Sequence, residues 1–236
     1  MNFDEYKLNE KYVLFLDIKG FKKYIENLDQ DKFNHLIGLF AKVRNFLGML
    51  SGKPYQIKDQ TVTANLKNLI ESTFTFKEIT FISDCIIVSH DDIEGIIALA
   101  SNIQKAFLIH GFLMSGCIAK GSIYHNAKQN IMFGTAYQKA YEIGDKEHYP
   151  RIIIHDSIDI SKIRNLSQQY LVKDEYDEKF FVDYLKSEEA IFDNKNIAKV
   201  QSFIQRNLEE HYDDKKILDK YNWLDKYFKI FLAKNI

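Results

Sequence analysis

The spacing of apolar residues divides the chain into short strands and amphipathic helices. Residues 12–17 form an apolar run that ends in an acid, which predicts a buried strand. From residue 21 to 50, apolar side chains recur at helical spacing and predict a helix with Phe33, Leu36, Ile37, Phe40 and Val43 on one face. Residues 51–54 stop this helix, and the polar stretch to about residue 72 carries no clear pattern.

The following segment predicts a β-hairpin and further elements. Two β-rich runs, residues 74–82 and 85–89, are separated only by Ser83 and Asp84. Asp91 and Asp92 are suited to cap a helix that ends near His110. Beyond it the pattern predicts strands over 112–124, 131–133, 152–155 and 180–184, a helix over 134–144, and two long amphipathic helices over about 186–211 and 214–234.

The order of these elements indicates the fold class. The order β-α-α-β-β-α-β-β-α-β is close to the split βαβ plan, so we predict an α/β (α+β) sandwich built on a ferredoxin-like palm with C-terminal helices. No internal repeat or low-complexity linker is visible. We predict one domain over residues 1–185 and a C-terminal helical extension over 186–236 that packs on it.

Composition excludes several classes of protein. Of 236 residues, 46% are hydrophobic, which argues against disorder, and 32 basic residues nearly balance 33 acidic ones. There is no basic excess to draw the chain to nucleic acid or to an anionic membrane, and no apolar run approaches the roughly 20 residues that span a bilayer. Without a signal pattern, and with Cys85 and Cys117 inside apolar runs as reduced core residues, the expected location is cytoplasmic.

Two acids are the strongest candidates for chemistry. Asp17 ends the first predicted strand and Asp84 lies in the hairpin turn, and in a ferredoxin-like palm these two elements are neighbours. Adjacent carboxylates repel unless a cation lies between them, and Mg²⁺ or Mn²⁺ suits oxygen ligands. The alternative is that Asp17 caps the helix near Phe21 while Asp84 only shapes the turn.

Asp17-Ile18-Lys19-Gly20-Phe21 resembles the first metal motif of class III nucleotidyl (adenylate/guanylate) cyclases. The resemblance implies that Asp17 binds two metal ions, that Ile18 adds a backbone carbonyl, and that residues 18–21 face the triphosphate. Ser83-Asp84 stands where this family has Gly-Asp, so Asp84 is implied as the second metal ligand. Residues 134–142 and 149–154 resemble the family's later helix and strand, and the likeness covers roughly residues 11–160 in order.

The chain departs from the family at several positions. Gln138 stands where the family has the asparagine that orients the ribose, and Glu142 where it has the arginine that stabilises phosphate charge. The residues that select adenine align near Thr80 and Ile131, so neither purine pattern is present. A pyrimidine nucleotide is therefore a possible substrate, as in the anti-phage pyrimidine cyclases of this superfamily.

Another cation would have to replace the lost arginine. Arg151, Lys120 and Lys139 are the basic residues near the motif, and we expect Arg151, with Gln138 and Lys120, to act in catalysis. The alternative for Arg151 is an ion pair with Glu142 or a neighbouring acid.

Two functions remain open, and a third does not match the sequence. The first is a cyclase that converts a nucleoside triphosphate to a 3′,5′-cyclic nucleotide and pyrophosphate. The second is a degenerate cyclase-like domain that binds nucleotide or dimerises as a sensor or scaffold. A palm-type polymerase would need a Gly-Gly-Asp/Glu hairpin, which residues 82–84 do not match. Because class III sites form between two domains, the resemblance also implies a homodimer, with apolar residues of helix 134–144 and strand 112–124 in the contact.

Overall fold

A computed structural model describes residues 7–50, 78–164, 168–186 and 194–235. Within this part of the chain there are eight strands and six α-helices. The strands are β1 (Asn9–Lys19), β2 (Glu78–Ile82), β3 (Cys85–His90), β4 (Leu113–Asn126), β5 (Ile131–Phe133), β6 (Ile152–Ile154), β7 (Leu171–Lys173) and β8 (Phe180–Val182). The helices are α1 (Phe21–Glu26), α2 (Gln30–Leu50), α3 (Ile93–Ile109), α4 (Thr135–Lys146), α5 (Asn194–Glu210) and α6 (Lys215–Asn235).

The strands form one sheet whose order confirms the predicted palm. The order is β2-β3-β1-β4-β6-β8-β7, with β5 paired to β4. Among the first four strands every neighbour is antiparallel, and α2 and α3 make the two crossovers, which is the split βαβ plan. Strand β6 then joins β4 in parallel and extends the sheet beyond the palm.

Several predicted boundaries differ from the structure. The helix expected over 21–50 is two helices, because the chain turns between Glu26 and Gln30, where Asp29 Oδ1 accepts a hydrogen bond from the Lys32 amide at 2.8 Å. Its predicted apolar face is also displaced: α2 buries Leu36, Leu39 and Val43, while Phe33 and Ile37 are exposed. Two segments, residues 51–77 and 187–193, lie outside the described residues. The first includes the start of the strand predicted over 74–82, and the second lies within the helix predicted over 186–211.

Each face of the sheet supports its own apolar core. The first face packs against α2 and α3, and the second against α4, α5 and α6. In β1, Leu14, Leu16 and Ile18 enter the first core, whereas Val13 and Phe15 enter the second. Because side chains alternate along a strand, Asp17 lies on the second face.

The C-terminal helices share the second core with the sheet. Val200 and Ile204 of α5, and Leu224 and Phe228 of α6, are buried in it. The division of the chain at residue 185 stays a prediction. Among the described residues, no helix has both the length and the apolar character needed to cross a membrane.

Candidate active site

The structure brings Asp17 and Asp84 together near the C-terminal end of β1, beside the β2–β3 turn. Asp17 pairs in register with Cys85 of β3, and the Ile18 amide donates a hydrogen bond to the Asp84 carbonyl at 3.0 Å. These backbone contacts fix the hairpin turn against the end of β1. As a result, one ligand atom each from Asp17, Asp84 and Cys85 lies within 4.8 Å of the others, and all three residues are half-buried.

Cys85 is the member of this group that sequence reasoning assigned to the core. Its Sγ lies 3.8 Å from Asp84 Oδ1 and can donate a weak hydrogen bond to it. Burial, followed by the negative charges of Asp84 and Asp17, raises the pKa of the Cys85 thiol to about 12. The thiol is therefore protonated at neutral pH. The hairpin pairing could have revealed this position, since a strand that starts after Asp84 must place Cys85 opposite Asp17.

Lys19 supplies the positive charge nearest to the acids. Its Nζ lies 2.8 Å from Asp17 Oδ2, and both side chains are largely buried. Gly20 then takes φ 76°, a left-handed conformation that favours glycine, and starts α1. Ile18 and Phe21 pack into the first core, on the opposite face of the sheet from Asp17, so they can offer only backbone groups to a ligand beside the acids.

Helix α4 lies directly beside the acid group. A Cβ atom at Gly144 would lie 2.6 Å from Phe15 Cδ1 and 3.1 Å from the Cys117 nitrogen, so this glycine lets the helix backbone touch the sheet. The Gly144 carbonyl accepts a hydrogen bond from Ser115 Oγ at 3.2 Å, and Ser115 pairs with Asp17 in register. The negative charge of Asp145 also acts on Cys85.

Among the motif residues of α4, Tyr141 packs edge-on against Phe15, two residues before Asp17 on the same face, with 5.4 Å between the ring centres. Gln138, Tyr141 and Glu142 are exposed, whereas Ala136 and Ala140 on the other side of the helix are fully buried. Gln138 therefore belongs to an outer stripe of α4 and is not joined to Asp17 and Asp84 within one chain.

Arg151 requires a correction, because the structure places it in a buried ion-pair cluster. Its side chain is 2% exposed. The guanidinium lies 3.2 Å from Glu147 Oε1, 2.6 Å from Asp174 Oδ2 and 2.6 Å from Asp177 Oδ2. All its nitrogens thus have carboxylate partners, and none is left for a nucleotide phosphate. This geometry agrees with the alternative that Arg151 forms an ion pair with neighbouring acids, although Glu142 is not among its partners.

Aromatic rings complete the Arg151 cluster and join it to the C-terminal helix. The guanidinium carbon lies 5.2 Å from the centre of the Tyr149 ring and 6.0 Å from the Trp223 ring. The Trp223 Nε1 group donates a hydrogen bond to Asp174 Oδ2 at 2.8 Å. Burial acts to lower the pKa of Arg151, but hydrogen bonds and charge from Asp177 and Glu147 outweigh it, and the pKa of Arg151 is raised.

Lys120 also lies away from the acids. Its Nζ is 3.2 Å from Glu10 Oε1, and its register partner is Tyr12, which packs against the first core. Strand alternation therefore places Lys120 on the face opposite Asp17. It is also five residues along β4 from Ser115, or roughly 17 Å at the rise of a strand. Within one chain, Lys120 is therefore separated from Asp17 and Asp84.

Comparisons with known proteins give a structural likeness only. No protein-family model matches the chain, and no curated protein matches it. The adenylyl cyclase CyaB from P. aeruginosa is 14% identical over 78% of this chain and 98% of its own, with a TM-score of 0.46. A class III adenylyl cyclase-like ATP-binding protein from Pseudomonas aeruginosa is 13% identical over 86% and 43%, with a TM-score of 0.47. The guanylyl cyclase Cya2 is 14% identical over 78% and 95%, with a TM-score of 0.37.

The chain is similar in structure to class III cyclases. With each of these TM-scores below 0.5, no residue role is transferred from those proteins to this one.

Proposed function

We propose that the chain is a divergent nucleotidyl cyclase that binds a nucleoside triphosphate and two divalent cations and forms a 3′,5′-cyclic nucleotide. The observation that carries this proposal is the proximity of Asp17 and Asp84, with ligand atoms inside a 4.8 Å group at the end of β1. The motif likeness over residues 17–21 and 83–84 supports the same conclusion.

The donor set fits a hard divalent cation. Two half-buried carboxylates provide the oxygen ligands that Mg²⁺ and Mn²⁺ prefer. Asp17 and Asp84 would hold the ions, with the Ile18 carbonyl as a further ligand. When bound, Mg²⁺ or Mn²⁺ would supply positive charge that favours ionisation of a hydroxyl and neutralises a leaving pyrophosphate.

The chain's own residues would position the substrate. In the proposed reaction a bond forms between the 3′-oxygen and the α-phosphorus while the α–β phosphoanhydride bond breaks; pyrophosphate leaves and the hydroxyl proton passes to solvent. Lys19, next to Asp17, would contact the phosphates. Thr80, near the position that selects adenine in the family, shares a 2.8 Å hydrogen bond with His125 Nε2. Because neither purine-selecting pattern is present, all four bases are candidate substrates.

A homodimer would complete this site. Gln138 and Glu142 are exposed on α4, so a homodimer could bring them to the acids of a second copy. Ile82 and Phe133 are each 56% exposed and offer apolar surface for such a contact. The expected contribution of β4 needs correction, because most of its apolar residues from Leu113 to Ala119 are already buried within one chain.

The decisive experiment is incubation with each of the four nucleoside triphosphates and Mn²⁺, followed by mass spectrometry of the products. We expect one or more cyclic nucleotides with stoichiometric pyrophosphate from the wild-type protein, and none from Asp17→Asn or Asp84→Asn. Light scattering in the presence of nucleotide should give a dimer. A wild-type protein that makes no cyclic product with any nucleotide contradicts the cyclase proposal.

A degenerate nucleotide-binding domain is the second candidate. The ion pairs made by the described arginines favour it. Among the arginine side chains that the structure describes, Arg151, Arg164 and Arg206 all pair with acids outside the Asp17–Asp84 group. None of them stabilises charge next to the acids. Metal-dependent nucleotide binding without any product would select this function over the cyclase.

A further inference from the structure

Lys19 forms an ion pair with one of the two acids proposed to hold metal ions. Its Nζ lies 2.8 Å from Asp17 Oδ2, and 14% of the Lys19 side chain and 18% of the Asp17 side chain are exposed. The two residues are two positions apart on β1, so their side chains lie on the same face of the sheet. One oxygen of Asp17 is therefore occupied by a cation of the chain itself.

This contact competes with metal ions for Asp17. In the proposed site Asp17 contacts both ions, but its Oδ2 is not open to either of them while the ammonium group of Lys19 stays beside it. A divalent ion and an ammonium group at the same carboxylate oxygen would repel each other strongly at this short distance. Filling the site with two ions therefore requires Lys19 to leave Asp17.

The ammonium group that leaves Asp17 needs another anion. A largely buried charge that loses its partner is strongly destabilising. Within the part of the chain that the structure describes, Asp17 is the one acid at ion-pair distance from Lys19, so no second carboxylate is in place to receive it. A triphosphate bound to the metal ions would bring phosphate oxygens, and the flexible four-carbon stem of lysine lets the ammonium group turn toward them.

The total charge of the site leads to the same requirement. The carboxylates of Asp17 and Asp84 and the ammonium group of Lys19 together carry a net charge of about −1. Two divalent ions without nucleotide would change this to about +3, whereas a triphosphate with about four negative charges would return it to about −1. Free metal ions therefore meet a repelling ammonium group, while metal ions that arrive with a triphosphate bring the anion that neutralises it.

We propose that Lys19 makes the site selective for metal–nucleotide complexes over free metal ions, because it pairs with Asp17 in the ligand-free protein and with the phosphates when the complex binds. This inference rests on the proposed function. It adds a coupling between metal binding and nucleotide binding in which Lys19 is the group that changes partner.

The test compares Lys19→Met with the control Lys11→Met. Lys11 lies on the same strand and face, and its Nζ is 3.4 Å from Asp91 Oδ2, so the control also loses one lysine and one ion pair. It is six residues from Asp17, or roughly 20 Å at the rise of a strand. Electron paramagnetic resonance would measure the affinity for free Mn²⁺, and calorimetry the affinity for the preformed Mn²⁺–tripolyphosphate complex.

Two changes are expected in Lys19→Met. It should bind free Mn²⁺ about tenfold or more tightly than the wild-type protein, because no ammonium group has to be displaced. The ratio of the affinity for Mn²⁺–tripolyphosphate to the affinity for free Mn²⁺ should shrink about tenfold or more, because the phosphates lose their lysine partner. Lys19→Arg, which keeps the charge, should restore the wild-type pattern, and Lys11→Met should not depart from it. Thermal melting checks that the variants are folded, and Lys19→Gln replaces Lys19→Met if the latter does not fold.

The outcomes separate this inference from the function on which it rests. Equal affinities for free Mn²⁺ in Lys19→Met and the wild-type protein, with binding lost in Asp17→Asn, would overturn the role of Lys19 and leave the metal site intact. An equal gain in Lys11→Met would also overturn it, because the effect would then be one of net charge. Tighter binding of free Mn²⁺ with an unchanged ratio would overturn the exchange, since Lys19 would only repel metal ions. The expected pattern in a protein that forms no cyclic product would support Lys19 and reject the cyclase. Absence of binding of Mn²⁺ and of Mn²⁺–tripolyphosphate by the wild-type protein and by Lys19→Met would overturn both.

Discussion

Two clusters of acids on this fold differ in the hydrogen bonds and ion pairs that their carboxylate oxygens accept. Around Arg151, the carboxylates also accept backbone hydrogen bonds: Glu147 from the Tyr149 amide at 2.9 Å, and Asp174 from the Tyr176 amide at 2.8 Å. In the other cluster, the described contacts of the side chains are Lys19 with Asp17 and the weak Cys85 donor with Asp84. The Arg151 cluster is complete as it stands, whereas the Asp17–Asp84 cluster retains acceptor capacity for an added cation.

The difference indicates what each cluster does. Burying a carboxylate is costly unless it is paired and hydrogen-bonded, and the cluster around Arg151 meets both conditions. It also joins the α4–β6 connection, the β7–β8 turn and α6, through Glu147, Asp174 and Trp223. We therefore infer that the Arg151 cluster serves stability, whereas the Asp17–Asp84 cluster is the one proposed to bind metal ions.

The largest predicted effect is on the stability of Arg151→Met. Removal of the guanidinium would leave three buried or half-buried carboxylates without their cation, and breaking a buried pair in this way costs about 3–5 kcal/mol. Urea unfolding would measure this loss. The matched control is Arg164→Met, whose side chain is 71% exposed and whose ion pair with Glu94 should be worth no more than about 1 kcal/mol.

The affinity for nucleotide should not fall along with the stability of Arg151→Met. Measured on the folded fraction at low temperature, the affinity of Arg151→Met for Mn²⁺–nucleotide should be close to that of the wild-type protein. An Arg151→Lys variant that keeps its stability but loses turnover would instead restore the catalytic role first expected for Arg151.

The second prediction concerns Asp17→Asn and Asp84→Asn. Each removes a charged ligand from the proposed metal site, so the affinity for Mn²⁺–nucleotide should fall about 100-fold or more in calorimetry. The free energy of unfolding without metal should change by less than about 1 kcal/mol in Asp84→Asn. It should fall further in Asp17→Asn, because this change leaves the largely buried Lys19 without its charged partner. Unchanged affinity in both variants would exclude the two-metal proposal.

The sequence predicted the palm and the acid pair because both depend on local patterns. Apolar runs fixed the strands, and a two-residue junction at Ser83-Asp84 fixed the hairpin that meets β1. The Arg151 cluster could not be predicted, because its partners Asp174 and Asp177 lie 23 and 26 residues away in a turn with no motif.

The third prediction is a dependence of stability on pH that arises from His125. Its ring shares hydrogen bonds with Thr80 Oγ1 at 2.8 Å and Ser89 Oγ at 2.9 Å. Burial lowers the pKa of His125 below 6.5. The charge of Lys11 lowers this pKa further, whereas the charge of Glu78 raises it. The folded state thus favours the neutral ring. Its contribution to stability is fully present above pH 6.5 and is lost as the pH falls toward the folded pKa, since the unfolded chain takes up the proton more readily.

Unfolding of the wild-type protein and of His125→Gln at pH 7.5, 6.5 and 5.5 would test this sign. The decline in stability below pH 6.5 should be smaller in His125→Gln, though not absent, because burial also lowers the pKa of His148 and His155. Parallel pH profiles for the two proteins would contradict the assignment to His125.

The smallest predicted effect compares one turn residue from each cluster. Ser83, beside Asp84, takes φ 54°, and Glu178, beside Asp177, takes φ 60°; both are left-handed conformations that cost a residue with a Cβ atom about 1 kcal/mol or more. Glycine removes this cost but loses more entropy on folding, so Ser83→Gly should stabilise the protein by roughly 0.5 kcal/mol. Ser83→Ala keeps the strain and serves as the control in urea unfolding. Glu178→Gly should show a similar gain, reduced by the loss of its exposed ion pair with Lys173. The Ser83→Gly variant also tests the metal site. Because Ser83→Gly leaves both carboxylates in place, the affinity of the protein for Mn²⁺–nucleotide should be unchanged. An affinity loss in Ser83→Gly without loss of stability would mean that the rigidity of this turn, and not only its charge, holds Asp84 in position for the metal.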